Sequence, residues 1–270
     1  MKTKPKITLK KTVCYLSVLL LLYLSAGFAS AIPIKKTNMD ATPDTALLQL
    51  SERFLYAVKT EEPTTAIEAE LQSIDIQRIK DGLNNDDAIK TFWVNMYNAW
   101  FQILAGREKM TRPKIFTKKV IVIASKSFSL DNIEHDILRK YRWKFSMGYL
   151  PKFFPGKLIK QLAVSKIDYR IHFALNCGAK SCPPIAFYSY DKIDQQLDLA
   201  SRNFLKSETV VNDELKEITT SKILSWFKGD FGGKKGIRKI LGKEFGKDLS
   251  GYKIRFNDYD WDSVLKNYAD

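Results

Sequence analysis

Residues 87–105 read DAIKTFWVNMYNAWFQILA, and this stretch does most to decide the fold. Its apolar side chains cover most of the circumference of a helix, and a helix that is apolar nearly all round is normally buried. Four polar side chains recur four, seven and eleven residues after the first, which places them along one seam: Thr91, Asn95, Asn98 and Gln102. An unpaired buried amide costs roughly 1–3 kcal/mol. The stretch therefore predicts a buried central helix whose seam faces either backbone groups or a polar cavity.

The elements on either side of this helix predict an α+β fold. The run Asn-Asn-Asp at 84–86 predicts the cap at which the central helix begins. Apolar residues at helical spacing predict further helices at 44–59, 66–71, 76–83, 131–142, 157–164, 191–206, 221–227 and 236–245. Runs of β-branched residues predict hairpins at 120–130 and 209–219, and single strands at 169–176 and 253–256. We expect a single mixed α+β domain over residues 44–270, with several helices packed on a small, mostly antiparallel sheet.

The amino end of the chain has the three parts of an export signal. Five lysines lie within the first eleven residues, residues 12–28 are uncharged and rich in leucine, and Ala-Ser-Ala at 29–31 fits a cleavage site. We expect a signal peptide at 1–31, then a mobile lead-in at 32–43; a retained membrane anchor is the alternative. The protein would then work in the periplasm, in the cell envelope or outside the cell. Cleavage removes five lysines and lowers the net charge from +14 to +9.

The positive charge that remains narrows the class of partner. In an exported protein such charge suits an envelope polymer, a lipid surface or a protein partner rather than nucleic acid. The basic residues at 234–239 follow two glycines, but they do not form a phosphate-loop motif. No second long apolar run follows residue 31, so we expect no stable membrane span after cleavage. Trp143 and Tyr149 are the residues that a carbohydrate-stacking surface would use, although aromatic residues more often serve the core.

Chemically reactive side chains are few after residue 31. The histidines there are His135 and His172, the cysteines are Cys177 and Cys182, and Glu134 precedes the first histidine directly. In an oxidising compartment a close pair of cysteines often forms a disulfide. A disulfide that closes this six-residue loop would contribute about 2 kcal/mol in the chain-entropy model.

Three blocks of sequence, in this order, resemble a known family. They are FWVNMYNA at 92–99, IEHDILR at 133–139 and RIHFALNCGAKSCP at 170–183. Two later segments, WFKGDF at 226–231 and YDW at 259–261, are similar to the carboxyl-terminal part of the same family. The chain thus resembles the family named domain of unknown function 547 over about residues 80–265. The resemblance implies an exported bacterial member of a widespread module, and it implies no particular reaction.

One interpretation of these residues is a thiol-dependent hydrolase acting on an amide or an ester. Cys177 would be the nucleophile and His135 or His172 the base, because a neighbouring imidazole can generate a thiolate. Glu134 or Asn95 would orient the imidazole, in a Cys-His-polar arrangement. On a strand through 169–176, however, positions 172 and 177 point to opposite faces.

The interpretation that we favour is a binding or scaffold module with a polar site. Cys177 and Cys182 would form the disulfide, and Asn95 and Asn98 would tie the central helix to the cysteine loop. The residues expected to contact a ligand are Asn98, Arg139, Arg170 and Asn176. The spacing of cysteines and histidines matches no usual zinc pattern, so we predict no metal and no cofactor. A redox role for the cysteine pair is a further alternative.

Overall fold

A computed structural model describes residues 42–269 of the chain. The predicted signal peptide at 1–31 lies outside the described residues, as does the predicted lead-in up to residue 41. The positions of those two segments, and the domain boundaries drawn from them, stay predictions. No helix within residues 42–269 combines the length and the apolar character that crossing a membrane requires.

The chain folds into helices and two small sheets, which makes it an α+β protein. The α-helices are α1 (Thr45–Lys59), α2 (Thr65–Ser73), α3 (Ile76–Gly82), α4 (Asp86–Gln102), α5 (Lys114–Thr117), α6 (Lys157–Leu162), α7 (Ile193–Glu208), α8 (Ile223–Trp226) and α9 (Gly233–Phe245). The strands are β1 (Ile121–Ile123), β2 (Lys126–Phe128), β3 (Val210–Asn212), β4 (Glu217–Thr220) and β5 (Lys253–Phe256). Two π-helices span Ile103–Arg107 and Asn132–Leu138, and 3₁₀-helices span Lys144–Ser146, Tyr169–Phe173 and Tyr190–Lys192.

The central helix α4 is buried, as its composition predicts. Asn85 caps its amino end, since the Asn85 side chain accepts a hydrogen bond from the backbone N–H of Ala88 at 2.9 Å. Asp86 and Asp87 lie in the first turn, where carboxylates favour the positive end of the helix dipole. Every residue from 88 to 102 is buried. The helix therefore forms the axis of the main hydrophobic core, together with α1 and the β1–β2 hairpin.

Both predicted hairpins and the predicted last strand are confirmed. Strands β1 and β2 pair antiparallel with Ile121 opposite Phe128. Strands β3, β4 and β5 form the second sheet in that order; β3–β4 is antiparallel and β4–β5 is parallel. A second hydrophobic cluster, built around Phe173, Leu205 and Ile237, lies under this sheet and α9.

The predicted strand at 169–176 is wrong, because Tyr169–Phe173 forms a 3₁₀-helix. The Asp168 side chain accepts a hydrogen bond from the backbone N–H of Arg170 and caps this turn. Ile171, His172 and Phe173 are all buried, so the side chains do not alternate between two faces. The argument that positions 172 and 177 point to opposite faces fails with the strand.

The predicted helix at 131–142 also differs in form. Its central part is the π-helix Asn132–Leu138, and Asp131 does not cap it. The Asp131 carboxylate instead forms an ion pair with Lys144 at 2.7 Å, and Asn132 accepts a hydrogen bond from the N–H of Ser129. Short π-helices are rare and occur frequently at functional sites. This one carries Glu134 and His135.

Candidate functional site

One cavity of about 190 Å³ brings together most of the reactive residues that the sequence singled out. Its walls come from the π-helix 132–138, the 3₁₀-helix 169–173, the cysteine loop at 177–182, α8 and the carboxyl-terminal segment at 259–261. Five of the residues named from the sequence line it: Glu134, His135, His172, Cys177 and Cys182. The other lining residues are Tyr97, Phe116, Asp131, Leu175, Pro183, Ile223, Trp226, Phe227, Tyr259 and Trp261.

The two cysteines form the predicted disulfide at one side of this cavity. The hydroxyl of Tyr259 lies 3.3 Å from the sulfur of Cys177 and 3.1 Å from that of Cys182. With both sulfurs joined, Cys177 carries no thiol and cannot act as a nucleophile in this state. The thiol-hydrolase interpretation therefore requires that the disulfide be reduced first.

A buried carboxylate, Asp230, connects two of the predicted site residues. Its Oδ2 atom lies 2.6 Å from Nε of Arg139 and 2.9 Å from Nε2 of His172. Burial alone would raise the pKa of Asp230, but hydrogen bonds from His172 and Arg139 outweigh burial and lower the pKa. Asp230 is thus ionised at neutral pH and accepts a hydrogen bond from Nε2–H of His172. Burial lowers the pKa of His172, so the imidazole is neutral and Nδ1 holds its free lone pair.

Arg139 fixes the proton position on the other histidine. Its Nη1 lies 2.7 Å from Nδ1 of His135. A guanidinium can only donate, so Nδ1 of His135 accepts and the proton is on Nε2. Burial, and after it the charge of Arg139, lower the pKa of His135 well below its usual value. Both imidazoles are therefore neutral, and their tautomers follow from their partners.

Glu134 is the group of this site whose protonation changes near neutral pH. Burial raises the pKa of Glu134 to about 7, against the opposing effect of Arg139. Its carboxylate lies 3.4 Å from the hydroxyl of Tyr97 and 3.5 Å from Nδ1 of His135. Burial also raises the pKa of Tyr97, so this phenol stays protonated and donates to Glu134. A carboxyl group poised in this way can accept or donate a proton at neutral pH.

Aromatic rings form another part of the cavity wall. The rings of Trp226, Tyr259 and Trp261 pack with centroids 4.5–5.4 Å apart. Arg112 lies over the ring of Trp261 and donates to the backbone carbonyls of Trp261 and Cys177. Trp261 remains 48% exposed, so part of its indole is accessible at the rim of the cavity.

The predicted amide residues lie outside this site. Asn95 exchanges hydrogen bonds with the backbone of Tyr188, and Asn98 bonds the carbonyl of Ala174 and the N–H of Asn176. Asn176 in turn bonds the carbonyl of Pro183 and the N–H of Gly178. Asn95 and Asn98 on the seam of α4 therefore face backbone groups, and none of these three amides lines the cavity. Their predicted roles stay predictions.

Arg170 does not line this cavity either, and its contact with a ligand stays a prediction. It forms ion pairs of 2.7 Å with each of three carboxylates, those of Asp168, Asp194 and Asp198. These partners tie the 3₁₀-helix to α7. Within residues 42–269, no cluster of three or more histidine, cysteine, aspartate or glutamate side chains is arranged to hold a metal ion.

The family model described as "Protein of unknown function, DUF547" matches residues 81–205. Residues 81–205 are thus similar to this family. No curated protein matches the chain, and no solved structure matches it. Within the DUF547 match lie α4, the π-helix 132–138 and the cysteine loop, whereas Asp230, Tyr259 and Trp261 follow it.

Sequence reasoning missed several residues that complete the site, some of which follow the matched segment 81–205. Asp230 lies in the block WFKGDF, which carried part of the family resemblance, and it is the only acid in that block. Tyr97 sits on α4 between the amides of the seam, and Tyr259 and Trp261 come from the last twelve residues. Asp230 could have been identified as a candidate because it is the acid of the block at 226–231, which resembles the family.

Proposed function

We propose that this chain is an exported cell-envelope protein whose cavity binds a small polar group of an envelope polymer, such as a sugar unit. The observation that carries the proposal is the pairing, in one cavity, of Glu134 and His172 with the rings of Trp226, Tyr259 and Trp261. Export is supported by the charge and apolar pattern of residues 1–31, and the Cys177–Cys182 disulfide is a bond typical of oxidising compartments.

The chemistry of the cavity suits a ligand with hydroxyl groups and an apolar face. Carboxylates accept strong hydrogen bonds from hydroxyl groups, and an aromatic ring offers an apolar face together with a polar edge. Pockets for drug-sized ligands measure about 300–1,000 Å³. The cavity, at about 190 Å³, therefore fits one small group at the end of a longer molecule.

Calorimetric titration of the full chain with soluble fragments of cell-envelope glycan tests this proposal. We expect saturable binding that Glu134→Gln weakens by about tenfold or more, because a hydrogen bond to a charged group contributes roughly 1.5–3 kcal/mol. Trp261→Ala should also weaken binding, because it removes the aromatic surface on which the ligand would pack. Glu214→Gln is the matched control, since Glu214 is exposed on the turn between β3 and β4 and does not line the cavity. Absence of binding to any fragment, or equal affinity of all variants, would refute the proposal.

A second candidate function is hydrolysis, which a specific observation favours. The pair His172–Asp230 leaves Nδ1 of His172 as the only proton acceptor of that ring, and Glu134 is available as an acid or base near pH 7. Such a pair activates a water molecule or, after reduction, the thiol of Cys177.

Hydrolysis of reactive-ester probes separates these possibilities. Turnover that appears only with reductant and disappears in Cys177→Ala identifies the thiol mechanism. Turnover that needs no reductant and is lost in His172→Gln identifies water activation. Mass measurement before and after thiol alkylation reports the state of the cysteines in each sample. No turnover with or without reductant excludes hydrolysis of these esters and leaves the binding module.

A further inference from the structure

Residues 143–154 read WKFSMGYLPKFF and present an unusual apolar surface. Twelve large hydrophobic side chains are exposed within residues 42–269, and seven of them lie in this one segment: Trp143, Phe145, Met147, Tyr149, Leu150, Phe153 and Phe154. Phe153 is 85% exposed and Phe154 is 97% exposed. Single exposed apolar residues are ordinary, but a contiguous cluster marks an interaction surface. We call residues 143–154 the aromatic segment.

Hydrogen bonds hold the backbone of the aromatic segment in one conformation, so its side chains are exposed in an ordered structure. The N–H of Trp143 bonds the carbonyl of Leu150 at 3.0 Å, and the N–H of Lys152 bonds the carbonyl of Tyr141 at 2.8 Å. At the tip, the N–H of Gly229 bonds the carbonyl of Met147 at 2.7 Å. Gly148 has a φ of +85°, and a Cβ there would lie 2.3 Å from Oδ1 of Asp230. Only glycine allows this close approach.

The charge around the segment is uniformly positive in sequence. Residues 140–167 contain seven lysines and arginines and no acid: Lys140, Arg142, Lys144, Lys152, Lys157, Lys160 and Lys166. Beside Phe154 lies a cleft of about 380 Å³ whose walls include Lys119, Lys126 and Lys152, with Asp136, the ion-pair partner of Lys152, as its one acid. The cleft therefore carries a net charge of +2 and suits an anionic head group next to an apolar chain.

We propose that the aromatic segment docks this protein on the surface of a bilayer that contains anionic phospholipid. Its exposed rings would enter the interface between head groups and acyl chains, and Lys119 and Lys126 in the cleft would contact lipid phosphate.

The mixture of residues favours a bilayer over a protein partner. Lysine is depleted in the cores of protein interfaces, yet Lys144 and Lys152 alternate here with the exposed rings. At a membrane surface this mixture is favourable, because aromatic rings sit at head-group depth and lysine stems extend toward the phosphates. The proposal concerns a surface separate from the cavity and does not depend on what the cavity binds.

Tryptophan fluorescence gives a test that is specific to this segment. The full chain is mixed with vesicles of phosphatidylcholine and phosphatidylglycerol whose acyl chains carry bromine, which quenches nearby indoles. All five tryptophans follow residue 92, so the apolar run at 12–28 contributes no signal. We expect quenching that Trp143→Phe largely removes and that Trp261→Phe leaves in place. Equal quenching in Trp143→Phe and the wild type, or no quenching at all, would overturn the proposal.

Vesicle flotation measures the contribution of the exposed rings to affinity. Phe153→Ser combined with Phe154→Ser should weaken binding to vesicles containing phosphatidylglycerol by about tenfold or more, since binding strength scales with buried apolar area. Val210→Ser combined with Leu215→Ser is the matched control, because these residues are 69% and 72% exposed and lie on the β3–β4 hairpin. Binding should weaken at high salt and without phosphatidylglycerol. Loss of affinity in neither double variant, or equal loss in both, contradicts the proposal, as does equal binding to purely zwitterionic vesicles.

Discussion

Two buried polar regions lie side by side in this protein, and they are built on different principles. The amide region consists of Asn95, Asn98 and Asn176, and the ionisable region consists of Glu134, His135, Arg139, His172 and Asp230. In the amide region the side-chain oxygens and nitrogens all have partners, mainly backbone groups. In the ionisable region, Nη2 of Arg139 and Oδ1 of Asp230 are buried without a hydrogen-bond partner among the described residues.

The difference indicates what each region is for. The amide region satisfies the backbone around α4 and the cysteine loop, so folding alone explains it. The ionisable region leaves the two polar atoms named above unpaired, contains groups with shifted pKa values, namely Glu134, His135, His172 and Asp230, and borders a cavity. Perturbed titratable groups at a cavity are the usual mark of a functional site. The variants below test this contrast, beginning with the largest expected effect.

Removal of Asp230 should destabilise the protein most. Asp230→Ala leaves the fully buried Arg139 without its carboxylate, and breaking a buried ion pair on one side typically costs about 3–5 kcal/mol. Urea denaturation of the full chain measures the loss of unfolding free energy. Asp230→Asn keeps the side-chain volume and separates the loss of charge from the loss of packing. Asp258→Ala, at an exposed site, is the control. A similarly small loss of unfolding free energy for Asp230→Ala and Asp258→Ala would contradict the expected role of Asp230 as the partner of Arg139.

Glu134→Gln should stabilise the protein in a manner that depends on pH. The pKa of Glu134 is raised from 4.5 to about 7 in the folded protein, so ionisation of Glu134 disfavours folding. The unfolding free energy of the wild type therefore decreases as pH rises from about 4.5 through about 7, because Glu134 becomes ionised. The glutamine variant has no group to ionise at this position, so its unfolding free energy lacks this decrease. The difference in unfolding free energy should be small at pH 4.5 and reach about 3 kcal/mol above pH 7, at about 1.4 kcal/mol per pKa unit.

Unfolding measured at several pH values decides this prediction. The variant and the wild type should diverge as pH rises, and Glu214→Gln should follow the wild type throughout. A constant difference between Glu134→Gln and the wild type across this range would show that the pKa of Glu134 is not raised.

The elements that the sequence predicted correctly are those whose pattern is local. Helix α4 follows from the composition of residues 87–105 and from the cap at Asn85, and both hairpins follow from short β-branched runs. The strand at 169–176 was wrong because a strand needs a partner strand, and no pattern within eight residues reveals whether one is present. Capping by Asp168 and packing of Ile171 to Phe173 in the interior favoured a turn instead.

The candidate site was predictable only in part, for a similar reason. His135, His172, Cys177 and Glu134 could be found because reactive side chains are rare in this chain. Asp230 could not be placed, since its partner Arg139 is 91 residues away and only the folded chain brings them together. Tertiary packing likewise determines that Asn95, Asn98 and Asn176 bond backbone groups.

The smallest of these effects belongs to the amide region, and its pH dependence sharpens the comparison. Asn98→Ala leaves the carbonyl of Ala174 and the N–H of Asn176 buried without their partner, so we expect a loss of about 2 kcal/mol. Because amides do not titrate, this loss should be the same at pH 5 and pH 8, in contrast to the effect of Glu134→Gln. Asn203→Ala, on the exposed side of α7, is the matched control and should be nearly neutral. A loss that changes with pH would mean that Asn98 is coupled to the ionisable region, and the two regions would then have to be treated as one site.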